Sequence, residues 1–140
     1  MSPADDLAPI RIAAALAIGS DGRLLLVRKR GTAFFMQPGG KIEPGEAPVD
    51  ALRRELFEEL GLVVAASGPE PLGRFSAAAA NEAGRIVEAE LFRLAVMGPV
   101  QPAAEIEEAV WVRAAEAERL NLAPLTRDQV LPLFTSLQRD

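Results

Sequence analysis

The chain has 140 residues, a length that suits one domain, and its composition of 49% hydrophobic and 25% charged residues is typical of a globular protein. The 15 basic and 20 acidic residues give a net charge of −5, which argues against broad binding to the DNA backbone. The sequence lacks cysteine and histidine, which excludes disulfides, thiolate or imidazole metal ligands and imidazole-based serine catalysis. Any metal must therefore be held by oxygen ligands, which suit Mg²⁺, Mn²⁺ or Ca²⁺.

The N-terminal part of the chain predicts a loose lead-in followed by a β-hairpin. Residues 1–8 contain Asp and Pro and are expected to be flexible. The apolar run 10–18 predicts a buried strand, residues 19–22 a turn, and residues 23–27 a second strand. No targeting peptide and no apolar run long enough to cross a bilayer is recognisable, so we expect a cytoplasmic protein.

A helix is predicted over residues 48–60. Pro48 fits the first helical position, where its missing N–H does no harm, and Gly61 fits the position that follows the last turn. Ala47 would occupy the N-cap, where it has no side-chain oxygen to offer.

The second half of the chain predicts more strands and a terminal helix. Hydrophobic patterning predicts strands at 62–64, 72–79, 85–96 and 109–112 and a helical turn at 114–120. A last helix is expected to begin at Thr126, with Gln129 as its capping-box partner, and to be kinked or delayed by Pro132. This order of elements indicates a mixed sheet covered by helices, in a single domain spanning residues 1–140.

Three carboxylates lie on one face of the predicted helix. At 100° per residue, Glu55, Glu58 and Glu59 fall within an arc of about 100°, which adjoins the apolar stripe of the same helix. Carboxylates this close repel one another unless a cation lies among them. The spacing therefore favours a divalent metal that completes its shell with waters and substrate phosphates. The same spacing also fits a solvated acidic face balanced by Arg53 and Arg54.

The pattern around this helix resembles one family at every defined position. The Nudix box is matched by Gly40, Glu46, Arg54, Glu55, Leu56, Glu58, Glu59, Gly61 and Leu62. The chain therefore resembles the Nudix hydrolases over residues 40–62, and the predicted order of elements on either side agrees with that family. The resemblance implies an α/β fold, an α/β/α sandwich with a mixed central sheet, in which the box forms a loop, a helix and a second loop.

The resemblance also implies an activity: hydrolysis of a diphosphate linkage in a nucleoside diphosphate derivative, using water and Mg²⁺ or Mn²⁺. By position, Glu58 and Glu59 are implied to be the main metal ligands. Glu55 is implied to be a further ligand or the base that activates water. The carbonyl of Gly39 or Gly40 is implied to join the metal shell.

Other residues are implied to support this centre. Arg54 and Glu46 are implied to pair and to orient the catalytic helix. Many family members use one more carboxylate from outside the box, and here we expect Glu105, with Glu108 as the second choice. Glu107 and the strand residues Glu88 and Glu90 stay open as sources, and all of these side chains also fit a solvated surface.

Substrate contacts are expected from the segment that leads into the box. Basic side chains that could offset phosphate charge are Arg28, Lys29, Arg30 and Lys41, although a simple surface role explains each of them as well. Phe35 and Gln37 immediately precede the Gly-rich loop and are expected to contact the substrate. Most phenylalanines of this chain also fit a hydrophobic core.

A nucleoside triphosphate pyrophosphohydrolase similar to MutT is the expected activity, because markers of other Nudix groups are absent. Ala78 stands where the ADP-ribose group tends to carry proline, and the chain has no tyrosine. The alternatives are an ADP-ribose or nucleotide-sugar pyrophosphatase and, from another class, a non-hydrolytic nucleotide-binding regulatory module. We expect a small nucleotide as partner, no nucleic-acid polymer and no membrane; family members are often dimers, which leaves a homodimer open.

Overall fold

The apolar run at the start of the chain forms the central strand of a mixed sheet in the computed structural model, which describes residues 8–138. The predicted flexible lead-in, residues 1–8, lies outside the described residues except for Ala8. The strands are β1 (Ile10–Gly19), β2 (Leu24–Lys29), β3 (Phe35–Met36), β4 (Gly39–Lys41), β5 (Glu70–Ala78), β6 (Ile86–Val96) and β7 (Ile106–Val112). The helices are α1 (Pro48–Leu60), α2 (Ala114–Ala117) and α3 (Leu131–Gln138).

The two edges of β1 have different partners. One edge pairs in parallel with β6 along the whole strand, from Ile10 opposite Val87 to Gly19 opposite Val96. The other edge pairs with β4 near its start and with β2 only at Ile18. Strands β1 and β2 therefore diverge from their hairpin, and β3 and β4 occupy the space between them, with β3 paired to β2. This divergence brings the Gly-rich loop against the centre of the sheet.

Helices cover both faces of the sheet, because side chains alternate between the faces along each strand. Ala13, Ala15 and Ala17 of β1 pack with the apolar stripe of α1, while Ala14 and Leu16 pack with α3 on the opposite face. The α/β/α sandwich that the resemblance implied is confirmed. Small alanines on β1 allow both helices to lie close to the sheet.

The predicted boundaries of α1 are confirmed. The helix begins at Pro48, and Ala47 makes no side-chain capping hydrogen bond. Gly61 adopts a left-handed conformation with φ 68°, and its N–H donates to the carbonyl of Phe57. A left-handed residue is favourable for glycine because it lacks a Cβ. The end of α1 is thus encoded by one residue.

The strands after α1 differ from the sequence prediction at two points. Residues 62–64 form no strand: Val63 is exposed, and Arg53 of α1 donates to the carbonyl of Val64, so this segment follows the helix and joins no sheet edge. Strand β7 begins at Ile106, three residues before its predicted start, because β2 provides a pairing partner along that length. The strands predicted at 72–79 and 85–96 form as the antiparallel pair β5 and β6.

The predicted capping box before the last helix is wrong. Helical backbone begins at Pro124, two residues before Thr126, forms a π-helical turn over Thr126–Val130 and continues as α3 from Leu131, so Pro132 does not delay the start of the helix. Thr126 and Gln129 use their side chains elsewhere: Thr126 bonds Gln37, and Gln129 donates to the carbonyl of Ser76. None of the helices within residues 8–138 is long and apolar enough to cross a membrane.

Candidate active site

The Gly-rich strand β4 and helix α1 bring the box residues to one end of the sheet. β4 pairs with β1 so that Gly39 lies opposite Ala14 and Gly40 opposite Ala13. A Cβ at Gly39 would overlap the backbone of Ala13, and one at Gly40 would overlap the carboxylate of Glu55. Neither position has space for a side chain: Gly39 lies too close to β1, and Gly40 lies too close to the acidic face of α1.

Glu59 is the most unusual of the three helix carboxylates. It is 3% exposed, and its Oε1 has no hydrogen-bond partner among the described residues. Burial raises the pKa of the Glu59 carboxyl to about 7, and the negative charges of Glu55 and Glu105 contribute to the rise. The Lys29 ammonium and a hydrogen bond from the Gly39 backbone oppose it. A buried, unpartnered carboxylate oxygen is costly, which marks this position as a candidate functional site.

Glu55 lies one turn earlier on α1, against Gly40. Its side chain is 16% exposed, and burial raises the pKa of its carboxyl, while the neighbouring Arg54 opposes the rise. Nη1 of Arg54 lies 3.4 Å from Oε1 of Glu55. Lys29 also acts against the rise, so its ammonium is close enough to influence both Glu55 and Glu59.

Glu58 faces solvent at the rim of this site. Its side chain is 53% exposed and lies 3.9 Å from Nη1 of Arg54. Within residues 8–138, no three acidic side chains converge closely enough to hold a metal ion as they stand. Glu58 turns outward, Glu55 turns toward Gly40 and Glu59 turns into the interior, which is how three like charges on one helix face reduce their repulsion.

Arg54 links α1 to the loop that precedes it through side-chain hydrogen bonds. Its Nε and Nη2 donate to the two carboxylate oxygens of Glu46 at 2.9 and 2.8 Å, and Nη2 also donates to the carbonyl of Lys41 at 3.1 Å. These bonds lower the pKa of the Glu46 carboxyl to about 2. Glu46 also accepts the backbone N–H of Glu43. The pairing implied for Arg54 and Glu46 is present, and it fixes the loop to the helix with bidentate geometry.

The loop before β7 joins the end of α1 through backbone hydrogen bonds. The N–H of Ala103 donates to the carbonyl of Glu59, and the N–H of Gln101 donates to that of Leu60. Ala104 has a positive φ of 53°, which is uncommon for a residue with a Cβ, and it directly precedes Glu105. The structure thereby brings the exposed Glu105 close enough to raise the pKa of Glu59.

The other acidic candidates are engaged elsewhere. Glu108 pairs with Arg28 across β2 and β7, with Nε and Oε1 3.1 Å apart. Glu88 and Glu90 lie on β6, where both pair with Arg11 and Arg74. Glu107 is exposed.

A cavity of about 120 Å³ opens beside Glu59. Its walls include apolar side chains of β1 and β6, the Gly-rich strand β4 and the turn between β5 and β6. Among the candidates for substrate contact, Gln37 and Lys41 line this cavity, as does Lys29. The cavity is therefore lined by both a buried carboxyl group, Glu59, and a basic side chain, Lys29.

Three candidates for substrate contact lie outside this cavity lining. Phe35 packs with the core on the α3 side of the sheet, and its backbone is bonded to Asn121 and Ala123. Arg28 is held by Glu108 and by the carbonyl of Thr32. Arg30 is exposed, and its backbone N–H donates to the carbonyl of Glu105.

Two features of the cavity were not singled out from the sequence. Lys29 was only one of four basic candidates, yet it shares the two-residue period of Leu25 and Val27, which face α1. This two-residue period could have indicated from the sequence that Lys29 faces α1. The turn residues Asn81 and Glu82 also line the cavity, and no local pattern indicates this, because the parallel pairing of β1 with β6 places the turn there.

Comparison with known proteins agrees with the Nudix box found in residues 40–62. The family description "NUDIX domain" matches residues 8–134 of this chain. The CTP pyrophosphohydrolase of Escherichia coli K12 is 32% identical over 120 residues, which are 82% of this chain and 84% of that protein. The 8-oxo-dGTP diphosphatase of Haemophilus influenzae is 40% identical over 58 residues, which are 39% of this chain and only 43% of that protein.

A solved structure shows the same fold. The crystal structure of a MutT protein from Methanosarcina mazei Go1 superposes with a TM-score of 0.78 at 22% sequence identity, and the alignment covers 96% of this chain and 99% of that one.

Proposed function

This chain belongs to the Nudix family, and on that premise we propose that it is a metal-dependent hydrolase that releases pyrophosphate from a nucleoside triphosphate. The observation that carries the proposal is the arrangement of Glu59: a buried carboxylate with an unpartnered oxygen lies between Glu55 and a cavity that Lys29 also lines. The family generally uses divalent metals. The similarity to a CTP pyrophosphohydrolase over most of both chains supports a nucleoside triphosphate as substrate.

The residues present fit a hard divalent cation. The donor set consists of carboxylate oxygens and the backbone carbonyls of Gly39 or Gly40, which is the chemistry that Mg²⁺ and Mn²⁺ accept. Glu59 has an oxygen with no partner, which a cation would satisfy. Glu58 and Glu59 would hold it after side-chain rotation, with Glu105 as a further ligand and Glu55 as either another ligand or the base. When bound, such an ion polarises phosphate oxygens and lowers the pKa of a coordinated water.

The protein side chains have separate roles in this proposal. Glu55 has a pKa raised by burial and an adjacent Arg54 that limits the rise, so it is a suitable group to take a proton from water. Lys29, half-buried at the cavity, offsets negative charge on the substrate phosphates. Arg54 and Glu46 keep α1 fixed to its loop, which preserves the positions of the carboxylates.

Two alternative functions differ from the proposed one, the first in its substrate and the second in having no turnover. An ADP-ribose or nucleotide-sugar pyrophosphatase would use the same carboxylates on a different substrate. A non-hydrolytic regulatory module would bind a nucleotide without cleaving it, and the complete set of Glu55, Glu58 and Glu59 favours an enzyme. The cytoplasmic location and a homodimer remain predictions.

The test is the release of pyrophosphate or phosphate from a panel of compounds with Mg²⁺, Mn²⁺ or EDTA. The panel contains normal and oxidised nucleoside triphosphates, ADP-ribose, nucleotide sugars and dinucleoside polyphosphates. Glu58→Gln should lower turnover by about two orders of magnitude or more with the fold intact, because it removes a charged metal ligand. Glu70→Gln, an exposed residue at the start of β5, is the matched control. Normal turnover by folded Glu58→Gln would refute the metal-ligand role.

A further inference from the structure

The turn before β7 contains the one residue within 8–138 that has both a Cβ and a positive φ. This residue is Ala104, with φ 53°. The N–H of Ile106 donates to the carbonyl of Ala103 at 3.0 Å, so residues 103–106 form a closed four-residue turn. A positive φ at only the first central residue is the pattern of a type II′ turn, which normally has glycine there. Because positive φ costs an alanine free energy, the surrounding contacts must hold the turn in this form.

Contacts at three points fix this turn. At its start, the N–H of Ala103 donates to the carbonyl of Glu59 at 2.9 Å, which ties the turn to the end of α1. At its end, Ile106 is buried in the core on the α1 side of the sheet. Between them, the carbonyl of Glu105 accepts the N–H of Arg30 at 2.7 Å. The backbone of Glu105 is therefore held between α1 and the end of β2.

A bulge in β7 keeps the next glutamate out of the interior. Two consecutive residues of β2 lie opposite Glu108 and Ile106, so Glu107 has no partner on β2. In an unbroken strand, Glu107 would share the face of Ala109, which packs on the α1 side of the sheet. The extra residue shifts the alternation of side chains, so Ile106 packs on that side and Glu107 is exposed. Glu107 is thereby excluded, and the turn before β7 carries the remaining glutamate, Glu105.

Glu105 acts on the site although its side chain is exposed. Its negative charge contributes to the raised pKa of the Glu59 carboxyl, the buried group whose Oε1 has no partner among the described residues. The methyl group of Ala104 is exposed, so this residue affects the turn through its backbone and not through packing. A negative φ at Ala104 would send the chain from Ala103 in another direction and would move Glu105 away from Glu59.

We propose that the left-handed backbone of Ala104 brings Glu105 to the site, which makes Ala104 a positioning residue for the proposed reaction. The inference rests on the proposed function, since Glu105 is the further metal ligand there. The role of Glu105 therefore depends on a backbone conformation that a neighbouring alanine adopts at a cost.

Variants that change only the cost of a positive φ test this role. In Ala104→Val the branched side chain disfavours a positive φ, so kcat and the affinity for Mn²⁺ should each fall at least about five-fold. Ala104→Gly adopts a positive φ freely and should keep both values within about two-fold. Ala103→Val, the same exchange at an exposed neighbour without a positive φ, is the matched control and should also keep them. Mn²⁺ binding is measured by isothermal titration calorimetry without substrate, so it does not depend on hydrolysis.

A double-mutant cycle separates positioning from general damage to the fold. In the Glu105→Gln background no carboxylate is left to position, so Ala104→Val should change kcat and Mn²⁺ affinity less than about two-fold. A turn with only a structural role would give the same loss in both backgrounds. Urea unfolding in EDTA checks that each variant is folded. Ala104→Thr, whose branched side chain is polar and suits an exposed position, serves if Ala104→Val does not fold.

Each outcome decides the inference. Normal kcat and Mn²⁺ affinity in Ala104→Val or in Glu105→Gln, an equal loss in Ala104→Gly, or an equal loss in the Glu105→Gln background would overturn it. So would the absence of both hydrolysis and Mn²⁺ binding in the intact protein. Hydrolysis that depends on Glu58, with no effect of Ala104→Val, refutes only the role of Ala104. Mn²⁺ binding that Ala104→Val weakens only when Glu105 is present, without hydrolysis of any compound, refutes the proposed activity and leaves the role of Ala104 standing.

Discussion

Replacing Glu59 by glutamine should stabilise the metal-free protein at neutral and alkaline pH while it abolishes hydrolysis. The Glu59 carboxyl is buried and its pKa rises from the ordinary 4.5 to about 7. At 1.36 kcal/mol per pH unit, that rise corresponds to about 3 kcal/mol of unfolding free energy. The folded protein holds the proton more tightly than the unfolded chain. The contribution of Glu59 to stability is therefore fully present below about pH 4.5 and is lost as the pH rises through about 7.

Urea unfolding in EDTA between pH 5 and 8.5 measures this effect. For the intact protein, the free energy of unfolding should fall across this window by up to about 3 kcal/mol, or about 1 to 2 M in the urea midpoint. Glu59→Gln should lack this component, because the amide does not ionise, and should be the more stable protein at pH 8. Glu58→Gln, on the same helix but half exposed, is the matched control and should keep the slope of the intact protein.

The effect of a divalent cation on the free energy of unfolding gives a second test of the role of Glu59. Mg²⁺ or Mn²⁺ should stabilise the intact protein at pH 8 and stabilise Glu59→Gln less, because ligand binding to the folded state adds to stability by mass action. Identical pH slopes for the intact protein and Glu59→Gln would show that burial of this carboxylate has no energetic consequence, and the reasoning from its unpartnered oxygen would be wrong.

Two further predictions concern the residues around Glu59. Gly40→Ala should lower kcat at least about ten-fold and the free energy of unfolding by about 1 to 3 kcal/mol, because the added Cβ would displace the Glu55 carboxylate. Steady-state rates and urea unfolding measure the two effects, and an unchanged kcat would contradict the prediction. Glu105→Gln should lower the rate about ten-fold or more, whereas Glu108→Gln should change it less than about two-fold, because Glu108 is held in a surface pair with Arg28. The reverse order of these two effects would move the further carboxylate to Glu108.

Local chemistry in the sequence was enough to define the boundaries of α1. Pro48 and Gly61 mark its two ends through properties of single residues, a missing N–H and a missing Cβ, and the structure has the same boundaries. The three carboxylates could be placed on one face because the period of an α-helix is constant. The strands that pair over long lengths, such as β1 and β6, also carried a sufficient hydrophobic pattern.

Patterns that depend on a distant partner were less informative. The apolar residues 62–64 have the composition of a strand, but they pair with no other strand of the described residues. Thr126 and Gln129 have the spacing of a capping box, yet their side chains bond Gln37 and the carbonyl of Ser76, which lie far away in the chain. A hydrogen-bonding side chain takes the partner that the fold brings to it, and sequence spacing identifies only the nearby ones.

The sequence by itself therefore determined the family, the fold class and the acidic residues of the box, because these depend on short-range spacing. Only the tertiary structure decided which neighbours complete the site. The divergence of β1 and β2 brings Gly40 against Glu55, and the alternation along β2 turns Lys29 toward the carboxylates while Arg28 pairs with Glu108. The physical reason is that the burial of Glu59, and with it the raised pKa of its carboxyl, arises from elements far apart in the chain that pack around it.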